Sequence, residues 1–133
     1  MPPAPARPQV LDARAAAALV GDLVAATDGA AVERAAVLFL DPEWRLLGRA
    51  DFAGTANAVA PPLRAIVAEA LRLEAAALVL AHGHPSGLAE PSAADLAYTR
   101  QLGRVAAALD LMLVDHLIVA GGRIVSLRES GWM

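Results

Sequence analysis

The chain has 133 residues, of which 57% are hydrophobic and 19% charged, with a formal net charge of -3 and no cysteine. That length suits one ordinary domain with a single core, and the lack of cysteine excludes disulfides, thiolate metal sites and a cysteine nucleophile. The eleven basic residues are scattered, so there is no basic stripe to grip nucleic acid directly, and no run of about 18 apolar residues suggests a membrane span.

Residues 1–9 contain four prolines and read as a flexible or extended arm; residues 10–133 read as one domain. Asp12 can cap a helix that ends near Asp28-Gly29. Its apolar stretch, 13–26, is broken by Arg14, Gly21 and Asp22, which favours an amphipathic helix over a signal peptide; the expected location is cytoplasmic. Residues 35–40, AAVLFL, predict a buried strand that stops at Asp41-Pro42, and residues 44–51 predict a second strand returning beside it as a hairpin.

Pro61-Pro62 opens the next helix, where proline is tolerated in the first turn. Leu63, Ile66, Val67, Ala70 and Leu71 lie on one side of it. Residues 76–81 predict another buried strand, and the glycines and prolines of 82–91 predict a loop. Ser92 starts a helix running to about Leu109, with Leu102, Val105, Ala106 and Leu109 facing inward. Two more strands, 111–119 and 123–127, are joined by Gly121-Gly122, a strong hairpin turn. The irregular alternation of helices and strands predicts an α/β sandwich with a mixed sheet.

The chemistry concentrates in 82–95. His82 and His84 are two residues apart, a spacing that puts both rings on one face only if the backbone is extended; on a helix they diverge by roughly 200 degrees. They stand where the strand 76–81 runs out. Catalytic zinc typically takes three protein ligands and leaves a fourth position for water. Asp95, in the first turn of the next helix, can supply the third ligand across a loop of about 10 residues. Two neutral imidazoles and one carboxylate would leave a formal charge of about +1, which helps acidify a bound water.

Each residue also has a plainer reading. A His-x-His pair alone is weak, and Ser92-x-x-Asp95 is a capping-box pattern. The capping and metal roles compete for Asp95, because a carboxylate reaching back to cap cannot fully commit to an ion. Glu33, just before the first strand, can be a general base or an ordinary exposed residue beside Arg34. His116, among apolar neighbours, reads as a hydrogen-bonded core or sheet histidine rather than a ligand. A nucleophilic triad built on Ser86 lacks a G-x-S-x-G elbow.

His82-x-His84, then Ser92 and Asp95, resembles the metal motif of JAMM metalloproteases. The longer series His84-Pro85-Ser86-Gly87, Pro91-Ser92, Asp95, Thr99, Asp115-His116-x-Ile118-Val119, Ser126 and Glu129-x-Gly131 resembles the RadC branch of that superfamily, over about residues 33–133. The resemblance implies the JAB/MPN fold, a cytidine-deaminase-like α-β-α sandwich. It implies zinc on His82, His84 and Asp95, with Glu33 as base and Ser92 stabilising the oxyanion. The implied function is a zinc-dependent metallopeptidase or isopeptidase acting on a peptide or protein. A non-catalytic scaffold and a DNA-repair-associated accessory domain are the alternatives. Gly54-Thr55 and Arg64 also match RadC-like positions, with no derivable role. Two positions depart from the pattern: Gly83, where Asn is frequent, and Leu88, where Asp is frequent. RadC-type proteins usually carry a helix-hairpin-helix region before this domain; the ~30 residues ahead of Glu33 are too few for one, so the chain reads as a short form or a fragment.

Overall fold

The computed structural model describes residues 7–27, 33–54 and 60–133. Its five strands form one mixed sheet: β1 (Arg34–Leu40), β2 (Leu46–Ala53), β3 (Ala77–Gly83), β4 (Met112–Ala120) and β5 (Arg123–Ser126), in the order β2-β1-β3-β4-β5. β3 and β4 run parallel, and the other neighbours are antiparallel. β3 is buried along its whole length, as expected for a central strand covered on both faces.

Two helical layers cover the sheet, giving the α-β-α sandwich. On one face Ala36, Leu38, Leu40, Val79, Ala81, Leu117 and Val119 pack with Ala16, Val20 and Leu23 of the N-terminal helical segment. On the other, Val37, Phe39, Leu78 and Leu80 pack with α3 (Leu63–Arg72) and α4 (Ala93–Ala108) through Ile66, Ala70, Leu102 and Ala106. Alternation along each strand assigns residues to the two layers.

The expected single helix after Asp12 is two short ones, α1 (Ala13–Leu19) and α2 (Asp22–Thr27). Asp12 caps α1 by accepting from the Ala15 N–H at 2.8 Å. The break falls at Val20-Gly21, where glycine favours helix termination; it lets both Val20 and Leu23 reach the sheet. The expected helix end at Asp28-Gly29 lies outside the described residues. Arg49 of β2 then ties α2 down, with its guanidinium at 2.8 Å from both carboxylate oxygens of Asp22. The second strand begins later than expected, because Trp44 sits in the turn with φ of +62°. Of the expected arm, residues 1–6 lie outside the described residues; Gln9 bridges Arg45, and the Val10 N–H donates to Trp44 O.

Two residues of the expected inward faces point outward: Leu71 is 58% exposed and Leu109, the C-cap of α4, is 40% exposed. In both helices the buried set is narrower, Ile66 and Ala70 in one, Thr99, Leu102 and Ala106 in the other. Gly121-Gly122 turns β4 into β5 with φ of 56° and 75°, values that suit glycine. Among the described residues, no helix is long and apolar enough to cross a membrane.

Gly83 lies between the two histidines and faces the opposite side of the sheet, toward α2. A Cβ there would stand 2.0 Å from Thr27 Oγ1, so the missing side chain at this departure from the RadC-like pattern is matched by Thr27 filling its place. Gly83→Ala is expected to destabilise the fold by about 1–3 kcal/mol, with Thr27→Ala restoring part of the loss; thermal unfolding of the single and double variants checks this.

Candidate metal centre

β3 runs through Gly83 rather than ending at Ala81, so His82 is on extended backbone inside the strand. His84 follows directly, with its N–H donating to Val119 O of β4 at 2.8 Å. The two-residue period then sends both rings to the α3/α4 face. Ser92 caps α4 by accepting from the Asp95 N–H, and Asp95 accepts in return from the Ser92 N–H. The helix start thereby swings Asp95 over the strand end.

His82 Nε2 and His84 Nε2 are 2.7 Å apart. Asp95 Oδ2 is 3.0 Å from His84 Nε2, and Oδ1 is 3.3 Å from His82 Nε2. Each of the three residues offers one ligand atom, all within 4.8 Å of one another, in a group that could hold a metal ion. Asp95 combines the cap with a place in the cluster: Oδ2 takes the Ser92 N–H at 2.8 Å while the carboxylate still faces both imidazoles. The cap orients the carboxylate for the site.

The donor chemistry fits a cation. His84 Nδ1 lies 2.7 Å from Leu88 O. A carbonyl only accepts, so a neutral His84 carries its proton on Nδ1 and turns the Nε2 lone pair inward. Only the backbone of Leu88 serves here, which makes its side-chain identity immaterial to this contact. The Asp95 hydrogen bond raises the His84 imidazole above its ordinary value against the opposing effect of burial. Burial pushes the Asp95 carboxyl upward, but His82 and His84, which donate to it from Nε2 when protonated in place of an ion, outweigh burial and hold the group well below the carboxylate range. Both effects say that this cluster favours positive charge at its centre, which a metal ion supplies without protons.

A cavity of about 300 Å³ opens on the cluster, lined by Glu33, Ser92, Tyr98, Glu90 and Leu80 among others. Glu33 is buried at 8% exposure while its neighbour Arg34 is exposed, so it is not an ordinary surface residue. Ala35 pairs with His82 across β1 and β3, and Glu33, two residues along on the same face, comes up beside His84. The Gly54 N–H donates to Glu33 O, which fixes this backbone just ahead of β1; Thr55 lies outside the described residues. Ser86 Oγ accepts from the Leu88 N–H at 3.3 Å and so braces the loop. Arg64 is exposed on α3.

Sequence reasoning gave no role to Thr99 and kept His116 apart from the site. The structure places both against it: His116 is 1% exposed, with Nε2 at 2.6 Å from His82 Nδ1 and Nδ1 at 2.5 Å from Thr99 Oγ1. Burial pushes the His116 imidazole down to about 3, and the nearby His82 adds to the shift, so it is neutral at neutral pH. Asp115, Ser126 and Arg128 form a separate clamp, in which the Asp115 carboxylate accepts from Ser126 Oγ and from the backbone N–H groups of His116 and Arg128.

Residues 11–132 match the family described as RadC-like JAB domain. The chain is 50% identical over 97 residues to a UPF0758 protein of Acidithiobacillus ferrooxidans, covering 72% of this chain and 43% of that protein. It is 48% identical over 98 residues to a UPF0758 protein of Photobacterium profundum, covering 73% and 44%. The chain thus spans less than half the length of these curated relatives. A match over residues 11–132, nearly all of the chain, places it in a family: it belongs to the RadC-like JAB domains.

Proposed function

We propose that this chain is a zinc-dependent hydrolase that cleaves peptide or isopeptide bonds. The observation that carries the reading is a cluster of buried His82 with His84 and the partly buried Asp95, sharing one cavity with a separate buried carboxylate, Glu33. Zinc held by those three residues supplies Lewis acidity toward the substrate carbonyl and lowers the pKa of a water to about 7. Glu33 takes a proton from the attacking water and delivers it to the leaving amine. Ser92 Oγ already accepts from the Asp95 N–H, so its own O–H is left to donate toward the oxygen on which charge develops.

The cavity lining supports an amide over a phosphodiester. Among the described residues, Glu33, Glu90 and Asp95 are its charged lining apart from histidine, with no Lys or Arg, and a phosphate would meet carboxylates there. This weighs against direct action on DNA. A scaffold has no use for Glu33 buried beside the ligands, which weighs against the non-catalytic reading.

The test is cleavage of a broad peptide and isopeptide library by the purified chain. Activity should vanish with a chelator and return with zinc, and DNA affinity at physiological salt should be weaker than micromolar. Cleavage that survives complete metal removal rejects the proposal.

A further inference from the structure

β4 carries an irregularity that changes what its side chains face. Leu78 pairs with Leu113, but Val79 pairs with Asp115, leaving Val114 as an extra residue. Such a bulge reverses the alternation beyond it and re-aims the side chains. Ahead of the bulge, Leu113 packs on the α3/α4 layer and Val114 on the α1/α2 layer. After it, Leu117 and Val119 are the ones facing α1/α2, while Ile118 lies with Leu96 of α4. With strict alternation His116 would point away from the metal cluster. The bulge turns it toward Thr99 and His82, and Asp115 holds the distorted backbone by accepting the His116 N–H at 2.7 Å.

We propose that His116 and Thr99 are positioning residues that lock His82 into the tautomer able to bind the metal, an inference that rests on the metal-site reading above. The proton assignments follow from the end of the chain that has no choice. Asp95 O is a carbonyl and can only accept, so Thr99 Oγ1, 2.8 Å away, donates to it. The Thr99 oxygen is then an acceptor for His116 Nδ1–H. The His116 ring is 1% exposed and has no carboxylate among its partners, so it is buried in the neutral form; with its proton on Nδ1 it presents a bare Nε2, which accepts from His82 Nδ1–H. His82 Nε2 is left unprotonated, facing His84 and Asp95. Every group from Asp95 O to His82 Nδ1 is satisfied once, and reversing any one of these bonds leaves two donors or two lone pairs facing each other. The run begins at the ligand His82 and ends on the backbone of the ligand Asp95, so it also ties β3 to the first turn of α4.

Outer partners of this kind typically change metal affinity by ~10–100-fold when removed. Zinc affinity of the full chain should therefore fall by about that factor in His116→Leu. His116→Gln, whose amide oxygen can accept from His82, should keep most of the affinity, and Thr99→Val should shift it in the same direction as His116→Leu. Melting temperatures identify any variant that fails to fold. The parent alone gives an independent reading: nitrogen-15 NMR of labelled histidines should show His82 protonated on Nδ1, with scalar coupling across the hydrogen bond to His116 Nε2. A His82 protonated on Nε2, or a folded His116→Leu that binds zinc as tightly as the parent, overturns this inference alone. A parent that binds no zinc overturns the metal-site reading and the purpose given to His116 with it.

Discussion

Glu33→Gln is expected to keep its zinc and lose ~10²–10⁴-fold in hydrolytic rate, the usual contribution of general acid–base catalysis. Glu33 lines the same cavity as the ligands but is not among the three residues that converge on one point. Its backbone is anchored by the Gly54 N–H, so the amide should sit where the carboxylate does. Gln preserves the shape and removes only the ability to carry a proton. Ser92→Ala should cost no more than about 10³-fold, the scale of one oxyanion donor, and about 1 kcal/mol of stability through the lost cap. Zinc content, melting temperature and peptide cleavage measured side by side separate these effects. A Glu33→Gln chain that cleaves as fast as the parent rejects the proposed base.

Asp95→Ala is expected to lose metal and activity together. Asp95 is the only anionic member of the three-residue cluster, and without it two buried imidazoles face each other with no counter-charge. The same substitution removes half of the capping box, so the melting temperature should fall as well. Asp95→Asn sharpens the reading. Its amide oxygen can still accept the Ser92 N–H and preserve the cap, while the charge is gone. Stability near that of the parent, combined with lost zinc, assigns Asp95 to both tasks; stoichiometric zinc in Asp95→Asn argues that the carboxylate is not a ligand.

How far the sequence could be read depended on whether an interaction was local. β1, β3 and α4 follow from short apolar runs and from Ser92, and the placement of both histidines on one face follows from the two-residue period of β3. The resemblance supplied Glu33, whose position alone could not tell a buried carboxylate from a surface one. What was not legible depends on pairing between distant segments. The bulge at Val114 arises from the register of β4 on β3, and nothing in residues 112–120 announces it, so His116 could be read as a sheet histidine but not as the partner of His82. Cap and ligand look exclusive at Asp95 because sequence spacing carries no angles; in the structure the capping carboxylate also faces both imidazoles. Gly83 beside Thr27 is likewise a contact between a strand and a helix about 56 residues earlier. The break at Gly21 shows the weaker local cue, where glycine at a stopping point outweighs an amphipathic pattern that runs on past it.

Zinc stoichiometry of the chain purified without chelator tests the central claim most directly. The account predicts about one zinc per chain, retained in Glu33→Gln and lost in His84→Ala and Asp95→Ala. A parent without bound zinc that takes none up on titration, or equal zinc in His82→Ala, His84→Ala and Asp95→Ala, would contradict it.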